Sequence, residues 1–347
     1  MADLINCDYH NLALVDNATT GTNTILRSWP FKPNDVIVYH STIYGACENT
    51  LKFIALQYNV KLVKVDLNYP MDDQQVIDAY EMAFQTHHPT MAIFDTITSM
   101  PAVRMPFEKL SDLCKKYQVL SLIDGAHGIG LIPLNLNQLK PDFFTSNLHK
   151  WTFVPRSCVV LYVDSKHHRN ISTLPISHSY LPNDSKVSES QEKDWLIDRF
   201  SFIGTKNFAS ILTIESSLNF RNTICGGEDQ IFQYCFDLAE KAGELISNKW
   251  KSTILSSNTM VTIKVPLTEP ELQIITSNYA SILANTGKTM MMNDKTFVPF
   301  ILHNGAIYAR FSCQIYNELS DYDYASDILM KHLKNEIETI ERKNSEQ

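Results

Sequence analysis

The sequence lacks closely spaced cysteines, long apolar runs and a signal peptide. Its seven cysteines are scattered and odd in number, without a Cys-x-x-Cys pair, which argues against a metal site and for reduced thiols. No apolar run approaches the ~18 residues of a membrane span. The first residues lack the basic start and apolar core of a secretory leader. A soluble, cytoplasmic protein without a membrane partner is therefore predicted, with the nucleus as the alternative compartment.

The sequence also lacks an extended basic stripe with interleaved aromatic residues. The net charge of −8 is moderate, and the local basic cluster at 165–169 is short. Binding to nucleic acid is therefore not expected, and residues 165–169 are predicted to form a solvated loop. Hydrophobic residues make up 44% of the 347 residues and charged residues 20%, which is enough for a large buried core.

Strand-like and helical segments alternate in the first half of the chain. Such an alternation predicts βαβ units, and hence an α/β fold with a mainly parallel sheet and helices on both faces. Ligands bind such sheets at the carboxyl ends of the strands, so the residues that follow strands are the candidates for a site. The predicted strands are 12–15, 36–40, 61–67, 90–96 and 119–124. One helix is predicted to begin near residue 21, and three others are predicted at 44–58, 72–84 and 107–117.

The pattern changes after about residue 205. Longer helical segments follow, near 207–222, 228–249, 270–285 and 321–340, with strand-like segments between them. This change predicts a larger domain over residues 1–205 and a smaller C-terminal α+β domain over 206–347. The polar stretch 179–194 is predicted to be a long loop.

Two stretches that follow predicted strands suit a phosphorylated cofactor with a ring. Residues 17–23, NATTGTN, open a helix whose backbone N–H groups and small hydroxyl side chains can hold a phosphate, although a plain helix cap explains the same pattern. Asp124 begins DGAHGIG, where its carboxylate can hold a protonated ring nitrogen or cap its own turn. The glycine order is not GxGxxG, and an acid there would repel pyrophosphate, so a nicotinamide cofactor is not favoured.

A lysine and an arginine complete this set. Lys150 lies in SNLHKW between two strand-like runs, where a neutral amine can form a Schiff base. Arg310, within the strand-like YARFS, can grip a substrate carboxylate, with a surface ion pair as the alternative. A Schiff-base lysine, an acid, a phosphate cup and a carboxylate clamp are together what pyridoxal 5'-phosphate (PLP) needs. The sequence therefore predicts a PLP enzyme with a small amino-acid substrate.

The motifs resemble those of one enzyme family. NATTGTNTILRS, YHSTIYGACENT, LIDGAHGIG, SNLHKW and ARFSCQIYN occur in the order found in class V aminotransferase-like proteins, between residues 12 and 317. The chain resembles their isopenicillin-N-epimerase-like branch, and within it the fungal lyases that act on hercynylcysteine sulfoxide in ergothioneine biosynthesis. The resemblance implies a fold-type I PLP-dependent enzyme. It also implies a homodimer with the active site at the subunit interface.

The resemblance assigns a role to each matching residue. Lys150 holds the cofactor covalently and moves the Cα proton, Asp124 pairs with the pyridinium nitrogen, and Arg310 takes the substrate carboxylate. Tyr44 stands where related desulfurases stack a histidine on the ring, and acts as a stacking ring or as an acid. The other implied contacts are His127 and Ser99 at the ring hydroxyl, Thr19, Thr20 and His149 with Asn147 or Ser146 at the phosphate, and Thr205 at the phosphate of the neighbouring subunit.

The implied function is a C–S lyase that cleaves a cysteine S-conjugate or sulfoxide to a thiol product, pyruvate and ammonia. A desulfurase is not expected, because such enzymes need a mobile cysteine shortly before the arginine and residues 286–309 contain none. An aminotransferase or an amino-acid epimerase on the same cofactor stays open as an alternative. A truncated, non-catalytic homologue is a further one, since family members carry a longer segment before the first strand.

Overall fold

The computed structural model describes residues 1–345. The strands are β1 (Leu12–Val15), β2 (Val36–His40), β3 (Lys61–Val65), β4 (Met91–Asp95), β5 (Leu120–Asp124), β6 (Phe143–Asn147), β7 (Val159–Val163), β8 (Ile254–Ser257), β9 (Met260–Lys264), β10 (Phe300–His303) and β11 (Ala306–Ser312).

The helices cover most of the remaining chain. The α-helices are α1 (Ala2–Ile5), α2 (Ala18–Ser28), α3 (Gly45–Tyr58), α4 (Asp73–His87), α5 (Phe107–Tyr117), α6 (Leu136–Leu139), α7 (Leu148–Trp151), α8 (Glu189–Lys193), α9 (Trp195–Ser201), α10 (Ala209–Leu212), α11 (Ile214–Thr223), α12 (Glu228–Trp250), α13 (Glu269–Ser277), α14 (Tyr279–Asn293) and α15 (Leu319–Ser345). Two 3-10 helices cover Tyr9–Asn11 and Ser165–Asn170. Within residues 1–345, no helix is long and apolar enough to cross a membrane.

The strands and helices predicted for the first half of the chain are confirmed. Helix α5 has its predicted bounds, because Phe107, Leu110 and Leu113 form one buried face and Gln118 ends the helix in a left-handed conformation. The helices predicted near 207–222 and 270–285 are each interrupted, at Thr213 and at Asn278.

Two predicted loops are wrong in part. Within 179–194, helix α8 forms behind a capping box in which Ser188 and Gln191 bind each other's backbone N–H groups. Residues 165–169 belong to a 3-10 helix rather than a solvated loop, and two of its histidines are buried. His167 can be buried because Asp142 satisfies its ring nitrogen, with Nε2 of His167 at 2.8 Å from Oδ1 of Asp142. Asp142 lies outside the local sequence window that suggested a loop at 165–169.

One sheet contains the first seven strands in the spatial order β1-β7-β6-β5-β4-β2-β3. Strands β3, β2, β4, β5 and β6 run parallel to one another, and β7 is antiparallel to both β6 and β1. Strands β4 and β7 are buried at every position, as expected for strands covered on both faces. The carboxyl ends of β1, β2, β4, β5 and β6 therefore meet at one edge of the sheet.

This sheet belongs to the first of two compact units. The unit comprises residues 1–67, 71–99 and 104–228, and its core includes Ile37, Leu122 and Leu161. Helices α10 and α11, which the division at residue 205 placed in the smaller domain, pack within this unit. The assignment of 1–205 as the cofactor-binding domain stays a prediction about function.

The second unit comprises residues 68–70, 100–103 and the chain from 229 onward. Its antiparallel sheet has the order β10-β11-β9-β8, and its core includes Ile263, Phe311 and Leu329. The predicted α/β fold with a mainly parallel sheet and a smaller α+β part at the C-terminal end is thus confirmed.

Candidate active site

A cavity of about 170 Å³ lies at the carboxyl edge of the first unit's sheet. Its wall residues follow strands that end at this edge, as parallel-sheet geometry requires. Predicted site residues in the wall are Thr19, Tyr44, Ser99, Asp124, His127, Asn147, His149 and Lys150. Wall residues that were not predicted are Asn17, Ala18, Asp95, Ile97 and Ala126.

Lys150 stands on the one-turn helix α7, directly after β6. The buried side chains of Leu148 and Trp151 anchor this turn, while Lys150 lines the cavity. The Nζ atom of Lys150 lies 3.1 Å from Nε2 of His127, which comes from the turn after β5. The structure therefore brings together a lysine amine and an imidazole that are 23 residues apart in the chain.

Asp124 ends β5 as a buried carboxylate. Its Oδ1 accepts a hydrogen bond from the backbone N–H of Ala126 at 2.9 Å, and Sγ of Cys47 lies 3.5 Å from its Oδ2. Burial, and next the charge of Asp95, raise the pKa of Asp124 to about 6. A cation beside this carboxylate would relieve the cost of its charge.

Asp95 is a second carboxylate in the wall, and it was not predicted. It is the direct partner of Asp124 in the register of β4 and β5. Nε2 of the fully buried His40 lies 3.3 Å from Oδ1 of Asp95, and Nδ1 of His40 lies 3.0 Å from Oγ1 of Thr42. The available signal was the one used for Asp124, an acid at the end of a buried strand.

The N-terminus of α2 forms another part of the wall. Asn17 caps the helix by accepting from the backbone N–H of Thr20 at 2.8 Å, and Oδ1 of Asn147 accepts from that of Ala18 at 3.1 Å. The helix approaches β6 closely because residue 21 is glycine, where a Cβ would lie 2.4 Å from Oγ1 of Thr145. A helix N-terminus held at a cavity wall can bind an anion.

His149 is oriented by the backbone of Cys158. Its Nδ1 lies 3.0 Å from the carbonyl oxygen of Cys158 and 3.2 Å from that residue's backbone nitrogen. Burial lowers the pKa of His149, with a smaller contribution in the same direction from the charge of Lys150. His149 is therefore neutral at pH 7. Its Nδ1 contacts Cys158, so Nε2 is the ring nitrogen that can contact a group bound in the cavity.

Tyr44 lies at the rim of the cavity. It is the N-cap residue of α3, where its carbonyl oxygen accepts from the backbone N–H of Cys47 at 2.8 Å. Its side chain lies in the wall, yet the residue is 50% exposed. Its two predicted roles, a stacking ring and an acid, both stay predictions.

Three predicted residues of the first unit, within the described chain, are not part of this wall. The hydroxyl of Thr20 donates to Oδ1 of Asn17 at 3.1 Å, and the hydroxyl oxygen of buried Ser146 accepts from the backbone N–H of Ile129 at 3.0 Å. Thr205 is exposed in the segment before α10. Their assigned contacts with a phosphate stay predictions.

Arg310 belongs to the second unit. It lies on β11 opposite Thr262 of β9, and its backbone N–H donates to the carbonyl oxygen of Pro299 at 2.9 Å. Burial lowers the pKa of its guanidinium to about 10, which leaves the side chain cationic at neutral pH. Its role as the substrate carboxylate clamp stays a prediction.

The residues of the cavity fit PLP. A primary amine, a helix N-terminus and a buried acid are the groups that hold the aldehyde, the phosphate and the ring nitrogen of this cofactor. The burial of Asp124 in the cavity wall is the observation that tests the fit, because a carboxylate that is 5% exposed gains from a protonated ring nitrogen beside it.

Comparison with known proteins agrees with this fit. The family model described as aminotransferase class V matches residues 1–324. The chain belongs to the class V aminotransferase family. The predicted family resemblance and the fold-type I architecture of PLP enzymes are therefore confirmed.

Three relatives of this class V chain illustrate the similarity. Hercynylcysteine sulfoxide lyase of Schizosaccharomyces pombe is 34% identical over 332 residues, which cover 95% of this chain and 81% of that protein. L-cysteine desulfhydrase-like protein lolT1 of Epichloe uncinata is 32% identical over 368 residues, with coverages of 95% and 81%. The solved complex of the cystine C-S lyase C-DES with cysteine persulfide has a TM-score of 0.74 at 15% identity, covering 94% of this chain and 83% of that one. The last likeness shows the fold.

Proposed function

We propose that this class V chain is a PLP-dependent C–S lyase that cleaves a cysteine S-conjugate or sulfoxide, with hercynylcysteine sulfoxide as the first substrate to test. The observation that carries the proposal is the Lys150 amine, 3.1 Å from His127, in a cavity whose wall also holds Asp124. The similarity to a lyase and to a desulfhydrase-like protein supports the reaction class. When bound, PLP supplies an aldehyde that reacts with amines and a ring that withdraws electrons from Cα.

Five groups of the chain would hold the cofactor and the substrate. The Lys150 amine would attach the cofactor covalently, and the Asp124 carboxylate would pair with the ring nitrogen. The N-terminus of α2 with Thr19 suits the phosphate. Neutral His149 can donate to the phosphate through Nε2–H when its Nδ1 accepts from the backbone N–H of Cys158. Arg310 keeps its role as the clamp for the substrate carboxylate, since its guanidinium stays charged at neutral pH.

Proton transfer falls to Lys150 and Tyr44. The neutral amine of Lys150 takes the proton from the substrate Cα, and the hydroxyl of Tyr44 at the rim can give one to the departing sulfur. Overall, the reaction consumes water and releases pyruvate, ammonia and the sulfur fragment. A thioether yields a thiol directly, whereas a sulfoxide yields a sulfenic acid that a thiol reductant converts to the thiol.

Cofactor attachment is the first property to test. The protein is incubated with PLP, freed of excess cofactor, and its visible spectrum is recorded beside that of Lys150→Ala. We expect a yellow band in the wild type that is lost in the variant, because Lys150 is the attachment point. Lys115→Ala is the matched control, since Lys115 pairs with Asp112 on the surface of α5 and should leave the band unchanged.

Product analysis then separates the candidate reactions. Pyruvate release from hercynylcysteine sulfoxide or a cysteine S-conjugate, dependent on Lys150, supports the lyase. Stoichiometric conversion of the cofactor to its amine form indicates an aminotransferase, and inversion at Cα without pyruvate indicates an epimerase. A wild-type protein that stays colourless with PLP would contradict an enzymatic role and favour the non-catalytic homologue.

Two further parts of the proposal concern assembly. A homodimer in which Thr205 reaches the phosphate of the neighbouring subunit follows from the family resemblance alone. Thr205 is exposed, so its side chain is accessible to a second copy. Sedimentation of the PLP-loaded protein tests the dimer, and a monomer with full activity would contradict it.

A further inference from the structure

Three side chains at the cavity form a continuous hydrogen-bonded row. The indole Nε1 of Trp151 lies 3.1 Å from Nδ1 of His127, and Nε2 of the same imidazole lies 3.1 Å from Nζ of Lys150. Trp151 and Lys150 are consecutive on α7, so one helical turn holds both ends of the row. Trp151 and His127 are each 5% exposed, which keeps water from competing for these contacts.

The chemistry of the indole decides which way the protons point. An indole N–H can only donate, so Nδ1 of His127 must accept and cannot carry a proton of its own. A neutral imidazole has a single N–H, which is therefore on Nε2 and points at Lys150. An ammonium has three donors and no acceptor, whereas a neutral amine can accept this hydrogen bond.

We propose that Trp151 is a positioning residue that fixes His127 in the Nε2–H tautomer and thereby favours the neutral amine of Lys150. This inference deepens the proposed function. Only the use of Lys150 in catalysis rests on that function, whereas the tautomer of His127 does not. A neutral amine is the form that attacks an aldehyde and that removes a Cα proton. Trp151 thus prepares Lys150 without contacting the reacting atoms.

Other groups near Lys150 act on the same equilibrium. The carboxylate of Asp124 attracts an ammonium and opposes the effect of Trp151, and the neighbouring carboxylate of Asp95 acts in the same sense. His149 is neutral at pH 7 and adds no charge. The hydroxyl of Thr96 donates to the backbone carbonyl oxygen of His127 at 3.3 Å, which holds the turn in place independently of Trp151.

The tautomer is measured directly in the protein without PLP. A long-range ¹H–¹⁵N correlation spectrum of the ¹⁵N-labelled protein separates the ring nitrogens, and the loss of signals in His127→Gln assigns His127. We expect an unprotonated Nδ1 and a protonated Nε2 in the wild type, and a mixture of forms in Trp151→Phe. A wild-type His127 protonated on Nδ1 would overturn the proposal, whether or not the variant folds.

The reactivity of Lys150 gives a second readout. Trace acetylation of the same cofactor-free protein is quantified by mass spectrometry for Lys150 relative to Lys115. Trp151→Phe should lower the relative labelling of Lys150 by about threefold to tenfold, the range expected for the loss of one hydrogen bond. Trp250→Phe is the control, since Trp250 is a buried tryptophan of the second unit's core and should leave the ratio unchanged.

A double variant tests whether Trp151 acts through the imidazole. In His127→Gln the amide has its own N–H donors and no tautomer to fix, so adding Trp151→Phe should cause no further fall in Lys150 labelling. An equal fall in both backgrounds, or no fall in either, would overturn the proposal. None of these measurements needs PLP, so a negative result would overturn this inference without bearing on the proposed lyase activity.

Discussion

At the scale of single residues, the acid at the end of β5 has the most consequence. Asp124 is buried and lies beside a second carboxylate, and both raise its pKa from the ordinary 3.8 to about 6. As the pH rises from about 4 to 6, the unfolded chain loses this proton before the folded chain does. The free energy of unfolding should therefore fall across this window, by an amount on the order of 3 kcal/mol from this group.

Asp124→Asn removes this contribution. Compared with the wild type without PLP, the variant should become relatively more stable as the pH rises through the window and should then keep a constant advantage. Urea unfolding at a series of pH values measures this difference. Asp112→Asn is the control, because that carboxylate is 68% exposed and lies on the surface of α5. Parallel pH profiles for Asp124→Asn and the wild type would contradict the raised pKa.

Bound PLP should weaken the pH dependence of stability that comes from Asp124. A protonated ring nitrogen stabilises the carboxylate, so the fall in stability between pH 4 and 6 should shrink in the PLP-loaded wild type. Asp124→Asn should bind PLP more weakly for the same reason, without losing the attachment through Lys150. The single residue thus links cofactor affinity to the pH dependence of stability.

At the scale of elements, the approach of α2 to β6 positions the helix N-terminus that is proposed to hold the phosphate. Gly21→Ala adds a Cβ that would lie 2.4 Å from Oγ1 and 3.1 Å from Cβ of Thr145, so the Thr145 side chain must rotate and the helix must shift to relieve the contact. We expect a loss of about 1–3 kcal/mol in the free energy of unfolding. Affinity for PLP should also fall, because the helix N-terminus would move away from Asn147. Unfolding curves and spectroscopic titration with PLP measure the two effects.

Gly45→Ala is the matched control for this helix argument. Gly45 is the first residue of α3, and an added Cβ there has no atom within 4 Å. We expect a change in stability of less than about 1 kcal/mol, because alanine is the better helix former and nothing must shift. If Gly21→Ala lowered the free energy of unfolding no more than Gly45→Ala does, the close contact between α2 and β6 would not matter for stability.

At the scale of the whole molecule, one buried arginine joins the segment after residue 205 to the active-site turn. The guanidinium of Arg221, on α11, donates to the carbonyl oxygen of Trp151 at 2.7 Å and to that of Gly130 at 3.3 Å, and it pairs with Glu228. Arg221 is fully buried, so each of these partners depends on it. This explains why α11 packs within the first unit.

Arg221→Met should therefore be strongly destabilising. It leaves two carbonyl groups and the Glu228 carboxylate without their donor, at a cost of about 3–5 kcal/mol. Arg104→Met, which removes an exposed ion pair with Glu108, should cost at most about 1 kcal/mol. Chemical unfolding of both variants compares them. Equal costs would mean that the segment 206–228 contributes little to the site.

The sequence predicted those features that local pattern encodes. Alternating apolar segments identified the parallel strands, and strand-end position identified Asp124, Lys150 and the α2 N-terminus. The predicted strand 90–96 extended one residue past Asp95, so this acid did not stand at a predicted strand end, whereas β4 ends at Asp95. Ser146 and Asn147 could not be distinguished from each other, because the direction of a side chain at a strand end depends on neighbouring strands.

By itself the sequence determined the α/β fold and the family, because periodicity and motif order are properties of the chain, and it predicted Lys150 as the lysine that a PLP enzyme needs. Only the tertiary structure decided which side chains meet. Asp95 and Asp124 meet because they pair on neighbouring strands, although they are 29 positions apart. His127 meets Lys150 and Trp151, which follow it by 23 and 24 positions. Strand order and helix packing set these contacts, and they act through space rather than along the chain.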